Sequence, residues 1–299
     1  MNPGIRVSDF VRFRATTPSR SRLGISAFRV ARTPWALALL CLPFVPAAAA
    51  AGDAARKQAA DLFEQGGKSY AASQYARAAE ELSQSLQLDP QQPRAARMLG
   101  LCYQILGDLK RSEASLAEAA KLDADDPRTW FLLGRAYYLD HSYENARKAL
   151  QKAAGLNAGD PQVHELLALT LTTVGNPEGA LREFVEAVYR NSKIPKPLWT
   201  PHLSYGVFLH KLNRPEESEK QLRTATRLNP KDWLAHFELG KLLLDLGRFD
   251  AAARELTAAS QTAEPGSDEA ARVYRLLGRT YYRMGREDDA RSAIAMAGK

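Results

Sequence analysis

Apolar side chains between residues 127 and 158 recur with helical spacing on both sides of a short polar interruption. The apolar positions are Trp130, Leu133 and Tyr137 before the interruption, and Tyr143, Ala146, Leu150 and Ala153 after it. Each set places its side chains on one face of a helix. Asp126 supplies an N-cap ahead of Pro127, and proline is favoured at the first helical position. The pattern therefore predicts two helices joined by a tight turn, each with an apolar stripe that needs a partner.

Three columns of residues repeat along the chain at an interval of 34 residues, with two steps of 38. Small residues form the first column, at Gly66, Gly100, Gly134, Ala168, Gly206, Gly240 and Gly278. Small residues also form the second, 12 positions later, at Ala78, Ser112, Ala146, Ala180, Ser218, Ala252 and Ala290. A large apolar residue follows four positions after that, at Leu82, Leu116, Leu150, Phe184, Leu222, Leu256 and Ile294. The columns predict seven helix pairs, at residues 59–92, 93–126, 127–160, 161–194, 199–232, 233–266 and 271–299.

This pattern resembles the tetratricopeptide repeat in its period, in the small residues of both helices and in the closing pairs Asp89-Pro90 and Asn229-Pro230. The resemblance extends from about residue 59 to residue 299 and implies an all-α, right-handed solenoid of helix-turn-helix repeats. It also implies a concave groove that binds a peptide segment or a helix of another protein. Ala168 departs from the family's glycine, and residues 192–197 and 264–268 are predicted loops that lengthen two junctions.

Most of the net positive charge lies before the repeats. The whole chain carries a formal charge of +7, and residues 1–51 hold seven arginines against one acidic residue, Asp9. The remainder is therefore nearly neutral. Global charge gives no case for nucleic-acid binding, and we predict none.

Residues 1–51 have the order of an export signal: an arginine-bearing region, an apolar run at 35–45 and small residues at 47–51. The apolar run is too short to span a bilayer. We therefore predict a leader cleaved near residues 49–51, a mature domain of residues 52–299, and a periplasmic or secreted protein. A mitochondrial presequence and an uncleaved, membrane-anchoring leader are the alternatives. Removal of Cys41 with the leader would leave Cys102 as the only cysteine, which excludes an internal disulfide.

Three histidines, His164, His202 and His236, recur at one position of the first helix in consecutive units, and they make the case for a metal-dependent enzyme. Zinc ligands lie about 2.1 Å from the ion, whereas packed helix axes are roughly 8–10 Å apart. The intervening helices separate the three positions further, so we interpret the histidines as structural. The repeats also lack a Ser-His-Asp ordering, a phosphate-binding glycine loop and paired-cysteine zinc spacing. We predict no enzyme activity, no cofactor, no metal and an inert buried thiol at Cys102.

Arginine residues cluster at both ends of the concave groove that the resemblance implies. The family's groove positions correspond here to Arg94, Arg97, Arg128, Arg135, Tyr138, Arg272, Arg275, Arg279 and Arg283. In the middle units they correspond to Glu165, Glu238, Lys241 and Asp245. Guanidinium groups suit bidentate pairing with carboxylates, so we expect an acidic segment of a partner protein. The alternative is that these are solvated surface arginines, some of them paired within their own repeat. Several tyrosines follow the repeat columns, so most of them are interpreted as packing residues: Tyr103, Tyr137, Tyr138, Tyr281 and Tyr282.

The expected function is protein–protein interaction, as a scaffold or adaptor of the cell envelope. A membrane-tethered assembly factor is the alternative, and it would contact the membrane only through an uncleaved leader. No following helix covers Ile294 and Met296 in the seventh unit. The sequence therefore predicts either a small exposed apolar patch or self-association through this end.

Overall fold

The computed structural model describes residues 47–157 and 159–298, and the predicted leader up to residue 46, including Cys41, lies outside the described residues. The described residues form fourteen α helices and no strand. The helices are α1 (Ala47–Ala71), α2 (Tyr75–Leu88), α3 (Pro93–Ile105), α4 (Leu109–Leu122), α5 (Pro127–Leu139), α6 (Tyr143–Leu156), α7 (Pro161–Thr173), α8 (Pro177–Asn191), α9 (Thr200–Lys211), α10 (Pro215–Leu228), α11 (Trp233–Asp245), α12 (Phe249–Thr262), α13 (Asp268–Arg283) and α14 (Glu287–Met296). The predicted all-α repeat fold is confirmed. None of the helices within these described ranges is long and apolar enough to cross a membrane.

Two helices start earlier than the sequence pattern indicates. Helix α1 begins at Ala47, within the residues predicted as leader. Helix α13 begins at Asp268, within residues 264–268 that were predicted as loop. The early start of α13 has a local cause, because the Ser267 side chain accepts a hydrogen bond from the backbone N–H of Ala270 and caps the helix.

The described residues form two compact units, one ending at Gln91 and the other beginning at Gln92. In the first unit α1 packs against α2 around Leu82, which is fully buried. Two buried hydrogen bonds join the helices: Ser85 Oγ donates to the carbonyl of Ala59 at 2.7 Å, and Ser69 Oγ donates to Glu81 Oε2 at 2.6 Å. The first unit is thus a single helix pair closed by apolar contact and by satisfied polar groups.

The second unit contains six helix pairs among its described residues, and the first helix of each pair is here called its A helix and the second its B helix. The A helices are α3, α5, α7, α9, α11 and α13. Each A helix packs against its own B helix, and each B helix packs against the following A helix. Successive A helices also contact one another. They therefore form a continuous layer along the second unit, which we call the A row.

Gly134 shows why the first column of the repeat needs small residues. A Cβ atom added at Gly134 would lie 2.6 Å from Cγ of Leu150 on α6, closer than real carbon contacts allow. The same contact occurs between Gly100 and Leu116, where the distance would be 2.5 Å. The two helices of a pair therefore come closest at the small residue of the first column, and Leu150 is fully buried there.

Serine replaces alanine in the second column at two positions without leaving a buried hydroxyl unsatisfied. Ser112 Oγ donates to the carbonyl of Gly100 at 2.8 Å, and Ser218 Oγ donates to the carbonyl of Gly206 at 2.7 Å. Each hydroxyl thus bonds to the facing helix at the point of closest approach. The second column tolerates serine because its oxygen finds an acceptor there.

The turn between the two helices of each described pair contains one residue with a left-handed backbone conformation. These residues recur in register with the repeat at Ser73, Gly107, His141, Gly175, Asn213, Gly247 and Gly285, with φ between 55° and 79°. Glycine adopts this conformation without steric cost, whereas other residues rarely do. This fourth column was not recognised in the sequence because three of its seven members are not glycine.

The longer junction after α8 is held by one buried side chain. Asn191 is fully buried, and its Nδ2 donates to the carbonyl of Leu198 at 2.8 Å. Its Oδ1 accepts from the backbone N–H of Leu198, also at 2.8 Å. The two hydrogen bonds bring the ends of the loop together, so the next A helix starts in a defined position.

Candidate protein-binding surface

Arg97, a predicted binding residue, is engaged within the A row. Its Nη1 donates to Oδ2 of Asp126, the N-cap of α5. Asp126 also accepts a hydrogen bond of 2.7 Å from Oγ1 of Thr129. Burial raises the pKa of Asp126, but the hydrogen bond from Thr129 and the charge of Arg97 outweigh it and lower the pKa. Arg97 therefore ties α3 to the start of α5.

Arg135 and Tyr138, two further predicted binding residues, also form contacts between neighbouring pairs. Arg135 Nε donates to Gln104 Oε1 at 2.5 Å, and Gln104 Nε2 donates to the carbonyl of Leu132 at 3.3 Å. Burial raises the pKa of Tyr138, whose hydroxyl is hydrogen-bonded to Thr173. Both side chains are half-buried, so packing accounts for them without a partner protein.

Arg94 and Arg128 lie on the first turns of α3 and α5 and are exposed. Neither side chain has an ion-pair or hydrogen-bond partner within residues 47–157 and 159–298. The structure thus separates the predicted residues at this end of the A row. Two guanidinium groups face solvent, whereas Arg97 and Arg135 hold neighbouring pairs together.

The four arginines of α13 form an exposed face, here called the arginine face: Arg272, Arg275, Arg279 and Arg283. Their spacing of three, four and four residues places them on one side of the helix. None of them has a carboxylate partner in the described part of the chain. The structure therefore brings together the four predicted residues of the seventh pair.

Two side chains of the arginine face lie over aromatic rings, whereas the other two line a cavity. The Arg272 guanidinium lies 5.4 Å from the ring centre of Phe237, and that of Arg283 lies 5.3 Å from the ring centre of Phe249. These rings orient the two guanidinium groups through cation–π contact. Arg275 and Arg279 instead line an open cavity together with Tyr282 and Ile294.

Tyr282 is a candidate contact residue that the repeat pattern did not distinguish from the tyrosines interpreted as packing residues. Its side chain is 69% exposed, in contrast to Tyr138, the tyrosine at the corresponding repeat position, which is half-buried. Repeat register alone could not distinguish the two, because the exposure of each tyrosine depends on which side chains pack against it. No described helix packs over this side of α13.

Glu165 is not available as a groove residue, contrary to the expectation for the middle units. It is 7% exposed and lies at the junction between α7 and α9. Ser204 Oγ donates to its Oε1 at 2.6 Å, and Thr200 Oγ1 donates to its Oε2 at 2.9 Å. Burial raises the pKa of Glu165 to about 7, although both hydroxyls oppose that shift. Its role is to join two neighbouring pairs.

The three histidines that recur at one position of the A helices, His164, His202 and His236, each bond to a residue 19 positions later, on the B helix of the same pair. The ring Nδ1 atoms lie 2.7 Å from Glu183 Oε2 for His164 and 2.8 Å from Glu255 Oε2 for His236. His202 makes the same contact with Gln221. The hydrogen bond that His236 donates to the Glu255 carboxylate raises the pKa of His236, whereas burial lowers the pKa of His202. We call these contacts the histidine clips. They give the recurring histidines a structural role, because each one joins the two helices of its own pair.

No group of three or more His, Cys, Asp or Glu side chains in the described ranges is arranged to hold a metal ion. Cys102 is fully buried on α3, and burial raises the pKa of its thiol to about 11. Such a thiol remains protonated at neutral pH and is a poor nucleophile.

Stacked helix pairs with small contact residues and a row of A helices define a repeat scaffold of the α-solenoid class. Two sequence models of the tetratricopeptide repeat match the chain, one at residues 69–132 and 105–170 and the other at residues 209–268 and 239–297. Together the matches cover about two thirds of the sequence. The chain therefore belongs to the tetratricopeptide repeat family. No curated protein matches it.

Solved structures with this fold come from several protein systems. A tetratricopeptide repeat protein from Parabacteroides merdae aligns with a TM-score of 0.61 at 17% identity, over 81% of this chain and 93% of that chain. PilW, a type IV pilus biogenesis factor, aligns with a TM-score of 0.61 at 17% identity, over 68% of this chain and 90% of its own. A chain of the APC/C hetero-tetramer Cut9-Hcn1 aligns with a TM-score of 0.64 at 19% identity over 75% of this chain, but over only 43% of that chain. At these identities the likeness shows the fold alone.

Proposed function

We propose that this protein is an interaction scaffold that binds an acidic segment of another protein through the arginine face of α13. Tetratricopeptide repeat proteins generally mediate protein–protein interactions, and the fold is typical of a scaffold without catalytic machinery. The observation that carries the finer proposal is that four exposed guanidinium groups share one side of α13 and have no carboxylate partner among the described residues.

The proposed contacts are electrostatic and individually weak. An exposed guanidinium–carboxylate pair contributes roughly 0.2–1 kcal/mol, so binding requires several arginines at once. Phe237 and Phe249 favour this, because they hold Arg272 and Arg283 in place and reduce the side-chain entropy lost on binding. Affinity should fall as salt rises, since the Debye length is about 8 Å at physiological ionic strength.

We further propose that the scaffold acts in the cell envelope, in the periplasm or after secretion. The support is the order of charged, apolar and small residues within residues 1–51. The alternative, a membrane-tethered assembly factor, differs in whether the leader is retained. N-terminal sequencing of the protein purified from cells separates the two, because a mature start near residues 49–51 excludes the tethered form.

Binding can be tested with a fluorescent, glutamate-rich peptide that lacks helical apolar spacing. Fluorescence anisotropy should show saturable binding that weakens with salt. Arg275→Ala with Arg279→Ala should reduce affinity about tenfold, because loss of two pairs amounts to about 1.4 kcal/mol. Helical melting should be nearly unchanged.

The matched control is Arg182→Ala with Arg254→Ala, which removes two exposed arginines from the B helices α8 and α12. Neither side chain has an ion-pair partner among the described residues, so the change in net charge is the same. Equal loss in both double variants would indicate a general charge effect. Full retention of binding in the α13 variant, without salt dependence, would remove the site from the arginine face.

A further inference from the structure

One side of the last helix pair presents apolar side chains framed by arginines. Tyr282 is 69% exposed and Ile294 is 56% exposed. Both line one cavity with Arg275, Arg279 and Arg291, and the cavity also contains one acidic residue, Glu287. We call this surface of α13 and α14 the end face. No described helix covers it.

The corresponding surface of the preceding pair, α11 and α12, is covered by a helix. The residues 38 positions before Arg275, Arg291 and Ile294 are Phe237, Ala253 and Leu256. All three are buried, and they form one cluster with Val273 and Leu277 of α13. The surface of α11 and α12 that corresponds to the end face is therefore the surface on which the next A helix packs.

The end face keeps the geometry of this helix-binding surface but changes its chemistry. Ile294 contacts Gly278 as Leu256 contacts Gly240, with comparable distances of 2.8 and 2.7 Å to a Cβ built on the glycine. Arginine, however, stands at positions 275 and 291, where the preceding pair has Phe237 and Ala253. A helix packed here would meet an apolar strip at Ile294 and guanidinium groups beside it.

We propose that the end face binds an amphipathic helix of a partner protein, with an apolar stripe flanked by carboxylates. This inference rests on the proposed function, because it assigns a conformation and a docking surface to the acidic segment. The helix would pack on the last pair as α13 packs on the preceding one. Apolar contact with Tyr282 and Ile294 would add to ion pairs with Arg275 and Arg279.

Charge argues against the chain's own leader as the occupant. Residues 1–51 carry seven arginines and one acid, so they share the sign of the end face. A second copy of the chain, unlike the leader, would bring negative charge to the end face. Its α14 begins with Glu287, Asp288 and Asp289, which are all exposed. Asp288 already pairs with Arg291 of its own helix at 2.5 Å, which favours a separate acidic partner over a second copy.

The structure supplies a template for the probe. Residues 268–283 are the helix that packs on the preceding pair, and their four arginines can be changed to glutamate in a synthetic peptide. This acidic helix peptide keeps Val273 and Leu277 at their helical spacing. A permuted peptide of the same composition, in which that spacing is lost, carries the same charge. Both are measured by anisotropy against the full chain.

The acidic helix peptide should bind at least fivefold more tightly than the permuted peptide. Ile294→Glu and, separately, Tyr282→Ser should remove this preference, whereas Leu246→Glu, at an exposed turn residue after α11, should not. Tyr282→Ser is included because its side chain is mostly exposed and its loss leaves folding intact, as circular dichroism should show.

The outcomes separate the two proposals. Equal binding of both peptides would overturn helix docking and leave the acidic-segment proposal standing. Failure of both peptides to bind would overturn both. Sedimentation of the chain alone tests the remaining occupant: concentration-dependent dimers that Ile294→Glu abolishes would assign the end face to a second copy and contradict the partner helix.

Discussion

Replacing Glu165 with glutamine should change how the stability of the fold depends on pH. The wild-type carboxyl group is buried between α7 and α9, and its pKa is raised from the ordinary 4.5 to about 7. Between these pH values the folded chain holds a proton that the unfolded chain has lost. The free energy of unfolding therefore falls as pH rises through this window, and above about pH 7 the loss is complete.

The size of the pKa shift of Glu165 determines how much stability is lost as the pH rises. A difference of one pKa unit corresponds to about 1.4 kcal/mol, so the full loss is about 3 kcal/mol. Glutamine is neutral at every pH and keeps an oxygen that can accept from Ser204 or Thr200. The stability of Glu165→Gln relative to wild type should therefore increase by about 3 kcal/mol between about pH 4.5 and about pH 8.

Urea unfolding at several pH values, followed by circular dichroism, measures this difference. Glu238→Gln is the control, because Glu238 is also on the A row but pairs with Lys241 on its own helix. Subtracting the wild-type curve removes the contributions of all other titrating groups. Parallel curves for wild type and Glu165→Gln would refute the argument, since the carboxyl group would then titrate alike in the folded and unfolded chain.

Three further predictions concern packing, backbone and capping. Gly134→Leu should destabilise by about 1–3 kcal/mol through overpacking against Leu150, and hydrogen exchange should show the loss mainly in the third pair and its neighbours. Ser73→Gly should stabilise the fold by about 0.5–1 kcal/mol and so raise the melting temperature, because Ser73 has a φ of 60°, which glycine adopts without strain. The control, Ala72→Gly, should lower the melting temperature. Asp126→Ala should cost about 1–3 kcal/mol in urea unfolding, because α5 loses its N-cap and Arg97 its partner, whereas a loss no larger than for Asp125→Ala would contradict this role.

The fold could be predicted from the sequence because its main contacts lie at fixed spacing. Gly134 and Leu150 face each other across one pair, and the same spacing recurs at Gly100 and Leu116. Each contact is local in sequence and needs only a small residue opposite a large one. Periodicity therefore contains the information that the helix pairs require.

The state of individual surface residues could not be predicted in this way. Register placed Arg135 and Glu165 on a binding surface, yet Arg135 bonds to Gln104 and Glu165 accepts from Thr200 and Ser204. These contacts join residues 31 to 39 positions apart, in different pairs. They depend on which side chain a neighbouring pair happens to present, and periodicity does not encode that.

The histidine clips have a consequence for how such a chain can lengthen. Each clip joins two residues of one pair, so a duplicated gene segment that encodes the pair would carry both partners with it. The bonds of Glu165 to Thr200 and Ser204 instead join two pairs, and a pair inserted between them would leave a buried carboxyl group without its donors. The clips thus tolerate duplication of their own pair, whereas the junction between the fourth and fifth pairs accepts a new pair only if that pair supplies hydroxyl donors to Glu165.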